Sequence, residues 1–380
     1  MLYHLLYPLA DRFGLFNVLR YPSFRIIAAG FTALGLGLLL GPIFIERMRA
    51  IQYGSTNVRE DVPDTHKKKT GTPSMGGALI LFSLTVATLL FANLTNRLVW
   101  TVLVVTLSFG AIGFWDDYLK ISKRNSKGFA GKKKLVWQTL ILLAVYYLFL
   151  SDLQFHLEPA FPWLRVGSYQ DLHVTLPFVP LRWFSPSLGW LYLPFMIFVI
   201  LATSHGVNLT DGLDGLAIGP TIVSGVTFLI LAYVAGTTIG GFSIASYLRI
   251  PVIPGAAELG VFCSALIGAG IAFLWYNTYP ASVFMGDVGS LALGGALGTL
   301  AVLTKNELTS PILHGVFLLE TVSVIVQVVS FRYTGKRVFK MAPIHHHYEL
   351  KGWAEPKIIV RFWIISIMLA LVALASLKLR

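Results

Sequence analysis

Five aspartates and three consecutive histidines are the residues of this chain whose types and spacing could do chemistry together. Asp116 and Asp117 stand side by side in GFWDDY, Asp211 and Asp214 lie in the Asn208–Gly215 segment NLTDGLDG, and Asp287 follows Phe284 in FMGD. His345, His346 and His347 form an HHH run. Carboxylates without thiolates are hard oxygen ligands and point to Mg²⁺ rather than Zn²⁺. Mg²⁺ takes one or two protein carboxylates and completes its shell with substrate phosphates, which suits scattered aspartates. The single cysteine, Cys263, sits in an apolar run and reads as packing. The histidines lack the i, i+4 spacing of an HExxH zinc site, and no GxxxxGK[ST] loop is present, so neither zinc hydrolysis nor a P-loop ATPase fits. Basic residues at Lys67, Lys68 and Lys69, with the histidines, offer positive charge to a polyanionic substrate. Phosphoryl transfer between two anions needs that neutralisation and in-line positioning more than covalent help. Successive side chains on a helix diverge by about 100°, which predicts that only one of Asp116 and Asp117 faces a metal while the other orients its neighbours.

Each of these residues has an ordinary role when taken singly. Asp116–Asp117 can end a helix, Asp287 can cap one, and histidines in a loop are often solvated. What argues against the ordinary roles is where the elements put them. Of the 380 residues 55% are apolar and only 13% charged, and mean hydropathy is +0.70. A soluble domain carries about a quarter charged residues. Apolar runs long enough to cross a ~30 Å hydrocarbon core predict ten spans: 23–45, 76–95, 98–118, 135–150, 188–208, 214–236, 257–277, 288–304, 310–331 and 358–378. Ser290, Gly294 and Gly298 form a small-xxx-small row that lets helices approach, a packing feature.

Lysine and arginine concentrate in connections one (46–75), three (119–134) and nine (332–357), while connections two, four, six and eight carry few. The positive-inside rule then makes the odd connections cytoplasmic and both termini periplasmic. All five aspartates, Asn208, Asn277 and the histidines fall in or beside odd connections. The expectation is an all-α polytopic membrane protein of one domain, residues 1–380, with an active site on the cytoplasmic face. Residues 1–22 read as an interfacial N-terminal segment rather than a cleaved signal, residues 151–187 as a periplasmic loop with a short hairpin around Val174–Val179, and residues 332–357 as a cytoplasmic loop bearing the histidines. The net charge of +12 sets orientation and attracts anionic membrane lipids; nucleic acid is not an expected partner.

The segments Thr70–Gly77 (TGTPSMGG), Gly113–Tyr118, Asn208–Gly215, Asn277–Ser290 (NTYPASVFMGDVGS) and Met341–Trp353 (MAPIHHHYELKGW) resemble the polyprenyl-phosphate N-acetylhexosamine-1-phosphate transferase superfamily. The GTPSMGG and HHH segments are similar to the branch whose donor is UDP-N-acetylmuramoyl-pentapeptide. The resemblance implies transfer of the sugar phosphate to undecaprenyl phosphate in the bacterial inner membrane, with release of UMP, formation of lipid I, and a need for Mg²⁺. It implies Asp287 as the principal Mg²⁺ ligand, and Asp116 as the carboxylate that deprotonates the lipid phosphate with Asp117 beside it. It further implies Asn208, Asp211 and Asp214 as an acidic loop near nucleoside and metal, and Asn277 and Phe284 as holding the uracil ring. Lys69 is implied as the basic residue before the GTP segment, and His345–His347 as lying near the sugar-phosphate end. A homodimer is compatible with the resemblance, though the sequence names no interface.

Several readings stay open at this level. The lipid phosphate attacks directly, or an aspartate serves first as covalent nucleophile. A sister enzyme using UDP-N-acetylglucosamine shares most of the motifs. A transporter is also polytopic, but places its ionisable residues near mid-bilayer at broken helices, often across an inverted repeat, and this chain shows neither.

Overall fold

Residues 1–52, 71–122, 128–150, 172–180 and 183–378 are described by the computed structural model. Among them, ten apolar helices correspond one to one with the expected spans: α1 Pro22–Ile51, α2 Gly77–Phe91, α3 Arg97–Ser122, α4 Gly131–Val145, α5 Tyr192–Thr210, α6 Ile218–Gly236, α7 Leu259–Asn277, α8 Gly286–Leu303, α9 Gly315–Thr334 and α10 Glu355–Ala375. Nine are long and apolar enough to cross a membrane, α4 by continuing through a π turn, Tyr146–Leu150, to 20 residues, and α2, with 15 residues, is shorter. The protein is an all-α polytopic membrane protein. In hydrocarbon every backbone N–H and C=O must bond within the chain, so long apolar runs have no cheaper form than a helix.

Local chemistry sets the helix ends. Pro22 and Pro356 occupy first-turn positions of α1 and α10, where a missing N–H leaves no intrahelical bond unmade. Gly335, at φ +67°, ends α9 in the left-handed conformation that an L-side chain resists. α9 begins five residues later than the expected span because Ser310–Leu313 form a separate short turn before it.

The core is built around α8. Every residue from Val288 to Leu303 is buried, and the helix packs against α3 and α5. The glycine row makes that possible: a Cβ on Gly294 would stand 2.6 Å from the Ser204 Cα, and one on Gly298 2.7 Å from the Ile200 Cα. Backbone-to-backbone packing at this range holds α8 at a fixed height and rotation.

Hydrogen bonds join alternate helix ends into one face. At that face, Gln52 after α1 bonds Ser74 before α2, the start of α8 meets the ends of α3 and α5, Gly215 before α6 bonds Asn277 at the end of α7, and Glu355 of α10 meets Asp214. At the far end, the Arg25 guanidinium forks onto the Glu258 carboxylate at 2.6 and 2.5 Å and also donates to the Phe91 carbonyl, tying α1, α2 and α7 together. Lys305 and Glu307 are likewise buried there, and the Tyr192 hydroxyl bonds both. Residues 2–20 form a short helix and 3₁₀ turns, with the His4 ring accepting from the Leu94 N–H beyond α2.

Of the expected hairpin in 151–187, the described part is an antiparallel bridge between His173 and Ser187, with the Val174 N–H on the Pro186 carbonyl; residues 151–171 lie outside the described residues. A hairpin that was not anticipated joins β1 Thr238–Ile239 to β2 Phe242–Ser243 after α6. The histidines sit on a short helix, Ile344–Glu349, in the connection between α9 and α10.

Candidate active site

Where α3 ends, its last turns lie against the start of α8. Gly113 allows this, since a Cβ there would meet the Asp287 carbonyl oxygen at 2.1 Å. One carboxylate oxygen each from Asp116, Asp117 and Asp287 then falls within 4.8 Å of the others. This corrects the expectation that only one of the adjacent pair reaches the centre. The 100° divergence holds at Cβ, but α8 comes so close that the two carboxylates flank its first turn and both turn inward.

Two lysines neutralise the cluster. Lys120 Nζ lies 2.5 Å from Asp116 Oδ2, 3.1 Å from Asp287 Oδ2 and 3.5 Å from Asp117 Oδ1. Lys134, from the first turn of α4, lies 2.7 Å from Asp287 Oδ2 and 3.0 Å from Asp116 Oδ2. Asp117 Oδ2 accepts from the Val288 N–H at 3.2 Å, so this aspartate satisfies an open amide in the first turn of α8 from outside the helix. The Phe129 N–H donates to Asp116 Oδ1. Asn208 Nδ2 donates to Asp287 Oδ1 at 2.9 Å and to Ser290 Oγ at 2.8 Å, which fixes how Asp287 is turned.

The segment after α5 adds two more acids in different places. Burial is the main reason the Asp211 carboxyl is pushed up to about 8, with the charges of Asp287, Asp117 and Asp214 adding to it. Asp214 Oδ2 accepts from the Ala281 N–H, and its own N–H donates to Glu355 Oε1, both at 3.0 Å. Asn277 is buried and bridges two loops: its Oδ1 accepts from the Gly215 N–H and its Nδ2 donates to the Val283 carbonyl. Phe284 is half-buried, and its segment pairs with the one before α2 through Phe284 N–H to Pro73 O and Gly76 N–H to Phe284 O, both 2.8 Å.

The histidines point three ways. The His345 ring is fully buried with Nδ1 3.1 Å from Glu320 Oε2, and it lies so close to Gly212 that a Cβ there would stand 2.2 Å from its Nε2. His346 Nδ1 is 2.6 Å from Glu349 Oε2. His347 Nδ1 accepts from the Lys340 N–H, and burial together with Lys351 and Lys340 lowers its pKa. Lys67, Lys68 and Lys69 lie outside the described residues.

A family model described as glycosyl transferase family 4 matches residues 99–305, a range that includes the aspartates and both lysines. The chain belongs to glycosyl transferase family 4. Its relatives include the phospho-N-acetylmuramoyl-pentapeptide-transferase of Anaeromyxobacter sp. (strain K), 77% identical over the whole of both chains. Proteins of the same name from Myxococcus xanthus (strain DK1622), at 59% identity over 96% of this chain and 95% of that one, and from Sorangium cellulosum (strain So ce56), at 58% over the whole of both, are also similar.

Within this family-4 site, sequence reasoning missed four participants. Lys120 was counted only as a charge that sets orientation, although its spacing three and four residues after the aspartates puts it on their helical face. Lys134 carries no local signal, because its partners are distant in the chain. Ser290 entered only as a small packing residue, yet its hydroxyl accepts from Asn208 and donates to the Gly286 carbonyl. Glu320, inside α9, becomes a site neighbour only through His345.

The donor set at the cluster is three carboxylates with no thiolate and no imidazole. Three anionic oxygens converging at this range, with Asp287 oriented by an amide, fit a hard divalent ion such as Mg²⁺.

Proposed function

We propose that this chain transfers phospho-N-acetylmuramoyl-pentapeptide from its UDP-linked donor to undecaprenyl phosphate, with release of UMP and formation of lipid I for peptidoglycan. The observation that carries the reading is the cluster of Asp116, Asp117 and Asp287 bound by Lys120 and Lys134 at one end of the helices, in a chain whose full-length relatives bear that enzyme's name. The reaction is Mg²⁺-dependent. Asp287 would be the principal ligand, with Asp116 and Asp117 at hand, and Mg²⁺ held there would supply charge neutralisation for the donor diphosphate.

The chain's own residues do the rest. Lys120 and Lys134 place two positive charges where two phosphate-bearing substrates must approach each other, lowering their mutual repulsion. Asp116, gripped by both lysines, takes the proton from the lipid phosphate, whose freed oxygen attacks the sugar-bearing phosphorus. The bond from that phosphorus to the bridging oxygen breaks, and UMP leaves with the oxygen. Asp117 holds the first turn of α8 and so the height of Asp287. Asn208 fixes the rotamer of Asp287. Asp211 and Asp214 shape the loop beside it, Asn277 ties that loop to the Phe284 segment, and Phe284 offers its ring to the uracil. Lys69 binds donor phosphate, and the His345–His347 helix borders the sugar-phosphate end. Transfer is direct, with no phospho-aspartate. The lysine-rich connections support a cytoplasmic position for this face, with both termini outside the inner membrane. Residues 1–22 then lie at the outer interface, residues 151–187 outside and residues 332–357 inside.

The deciding assay uses purified protein in detergent with undecaprenyl phosphate, Mg²⁺, and either UDP-N-acetylmuramoyl-pentapeptide or UDP-N-acetylglucosamine. UMP release with the first donor and not the second is expected. Release with only the second overturns the substrate, and radiolabelled phospho-enzyme on Asp116 or Asp117 during turnover overturns the direct route.

A further inference from the structure

α4 buries one narrow stripe. Leu135, Val136 and Trp137 on it are exposed apolar side chains, whereas Gln138, Leu142 and Val145 are buried. Lys134 and Gln138 stand four residues apart, on one face of the helix. Leu142 and Val145 join the apolar core, but Gln138 is a carboxamide with no exposed surface, inside a helix apolar enough to cross a membrane. Its Oε1 accepts from the His205 Nε2–H of α5 at 2.9 Å, and its Nε2 has no partner. A buried amide with one end unmet gains the fold little stability. What an interhelical polar bond of this kind supplies is register, since it forms at one height and rotation only.

α5 is fixed on α8 without any help from α4. The glycine row of α8 takes its backbone, Ser204 Oγ donates to the Leu291 carbonyl at 2.9 Å, and Asn208 Nδ2 donates to Asp287 Oδ1. His205 follows Ser204 and precedes Asn208 by three residues, about 4.5 Å along the helix. Among the described residues, only two side chains of α4 form hydrogen bonds with other helices, Lys134 and Gln138. The bond at Gln138 therefore ties α4 to the already fixed α5 one turn, about 6 Å, from the Lys134 ammonium. That ammonium stands 2.7 Å from Asp287 Oδ2 and 3.0 Å from Asp116 Oδ2. Neither Gln138 nor His205 bonds to an aspartate of the cluster, so any effect they have on it passes through Lys134.

We infer that the Gln138–His205 bond holds the Lys134 ammonium on the carboxylate cluster, which makes both of them positioning residues for the transfer. Its kinetic consequence rests on the function proposed above; the placing of Lys134 does not.

The test uses the full chain in nanodiscs and compares the native enzyme, His205→Gln, Gln138→Leu with His205→Leu, and that pair combined with Lys134→Met. Two readouts are taken. The first is UMP release from UDP-N-acetylmuramoyl-pentapeptide with undecaprenyl phosphate and Mg²⁺. The second is the rate at which an amine-reactive ester acylates Lys134, followed by mass spectrometry, which reads the grip on the ammonium whatever the donor. The leucine pair is expected to lose about tenfold in kcat/KM and to acylate severalfold faster at Lys134. Its melting midpoint stays level or rises, because both polar partners have gone together. In the Lys134→Met background the leucine pair costs less than about twofold further, the non-additivity of groups that act through one another. His205→Gln, whose amide nitrogen reaches about as far as the ring Nε2, recovers most of the native rate and the slow acylation. A loss of equal size in the Lys134→Met background, a collapsed melting curve, or a His205→Gln enzyme as slow as the leucine pair makes the bond a structural tie and overturns the inference. Unchanged acylation of Lys134 overturns it as well. A native enzyme that releases no UMP from this donor refutes the proposed function, and the acylation rates still decide whether the bond holds Lys134.

Discussion

At the cluster, three carboxylates face two ammonium groups, a net charge of −1 before any ion binds. Asp287→Asn brings that to zero, so the variant leaves no excess of like charge and the helices stay packed. It removes the oxygen best placed for the metal, and turnover falls by at least about a hundredfold with the detergent-solubilised melting curve unchanged. Near-normal turnover at limiting Mg²⁺ refutes the assignment. Lys134→Met keeps the long apolar stem and deletes one of the two cations on Asp116 and Asp287. The expected loss is ten- to a hundredfold in kcat/KM, about 1.4–2.7 kcal/mol of transition-state stabilisation, with normal gel-filtration behaviour. A variant that retains half the native turnover shows that Lys134 merely fills space. The aspartates were legible in the sequence because their type is costly near a bilayer and draws attention. Lys134 was not, because a lysine beside a span is equally well explained as an orientation signal, and only the fold shows which way its side chain turns.

Helices were legible for a different reason: hydrocarbon permits little else, so a run of apolar residues fixes existence and approximate length. Their ends were less so. α2 begins at Gly77 because Pro73–Gly76 pair with the Phe284–Met285 segment instead of extending the helix, and it stops at Phe91, four residues short of the expected span. The β1–β2 hairpin went unforeseen although Gly240–Gly241, both at positive φ, are flanked by the Thr-Ile and Phe-Ser pairs that mark a tight turn. Helix rotation was legible only in the Gly294–Gly298 row of α8, which packs on α5; for α3 it was not, and here glycine decides. Gly113→Ala drives a Cβ into the Asp287 carbonyl and pushes α3 off α8. A shift of about 1 Å between Asp116 and Asp287 costs on the order of a hundredfold in rate, and overpacking lowers stability by about 1–3 kcal/mol. Gly131→Ala, where no atom lies within 4 Å of the new Cβ, serves as the control and leaves activity and melting temperature at or slightly above native. If the two alanines behave alike, the α3–α8 contact does not set the site.

For the molecule as a whole, one end carries the aspartates, the lysines that grip them and the histidine helix, and the other end carries buried charge pairs that serve packing. Arg25 and the Lys305–Tyr192–Glu307 group are buried and Glu258 is nearly so, whereas Lys120, at the cluster, keeps a quarter of its side-chain surface. The lysine-rich connections predict that the aspartate end faces the cytoplasm, and the chain is well suited to a test of that expectation. Its single thiol, Cys263, is fully buried and silent to water-soluble maleimides. Lys336→Cys stands exposed just beyond α9 at the aspartate end, and Phe242→Cys stands exposed on the β2 strand at the other. Lys378, at the end of α10, reaches the Tyr247 hydroxyl beside that hairpin, which places the C-terminus at the same end as Phe242. With an impermeant maleimide on intact spheroplasts, Phe242→Cys labels and Lys336→Cys does not. In inverted vesicles the pattern reverses. The function proposed above requires the aspartates on the cytoplasmic side, so labelling of Lys336→Cys from outside would put them on the wrong face and overturn the proposed orientation.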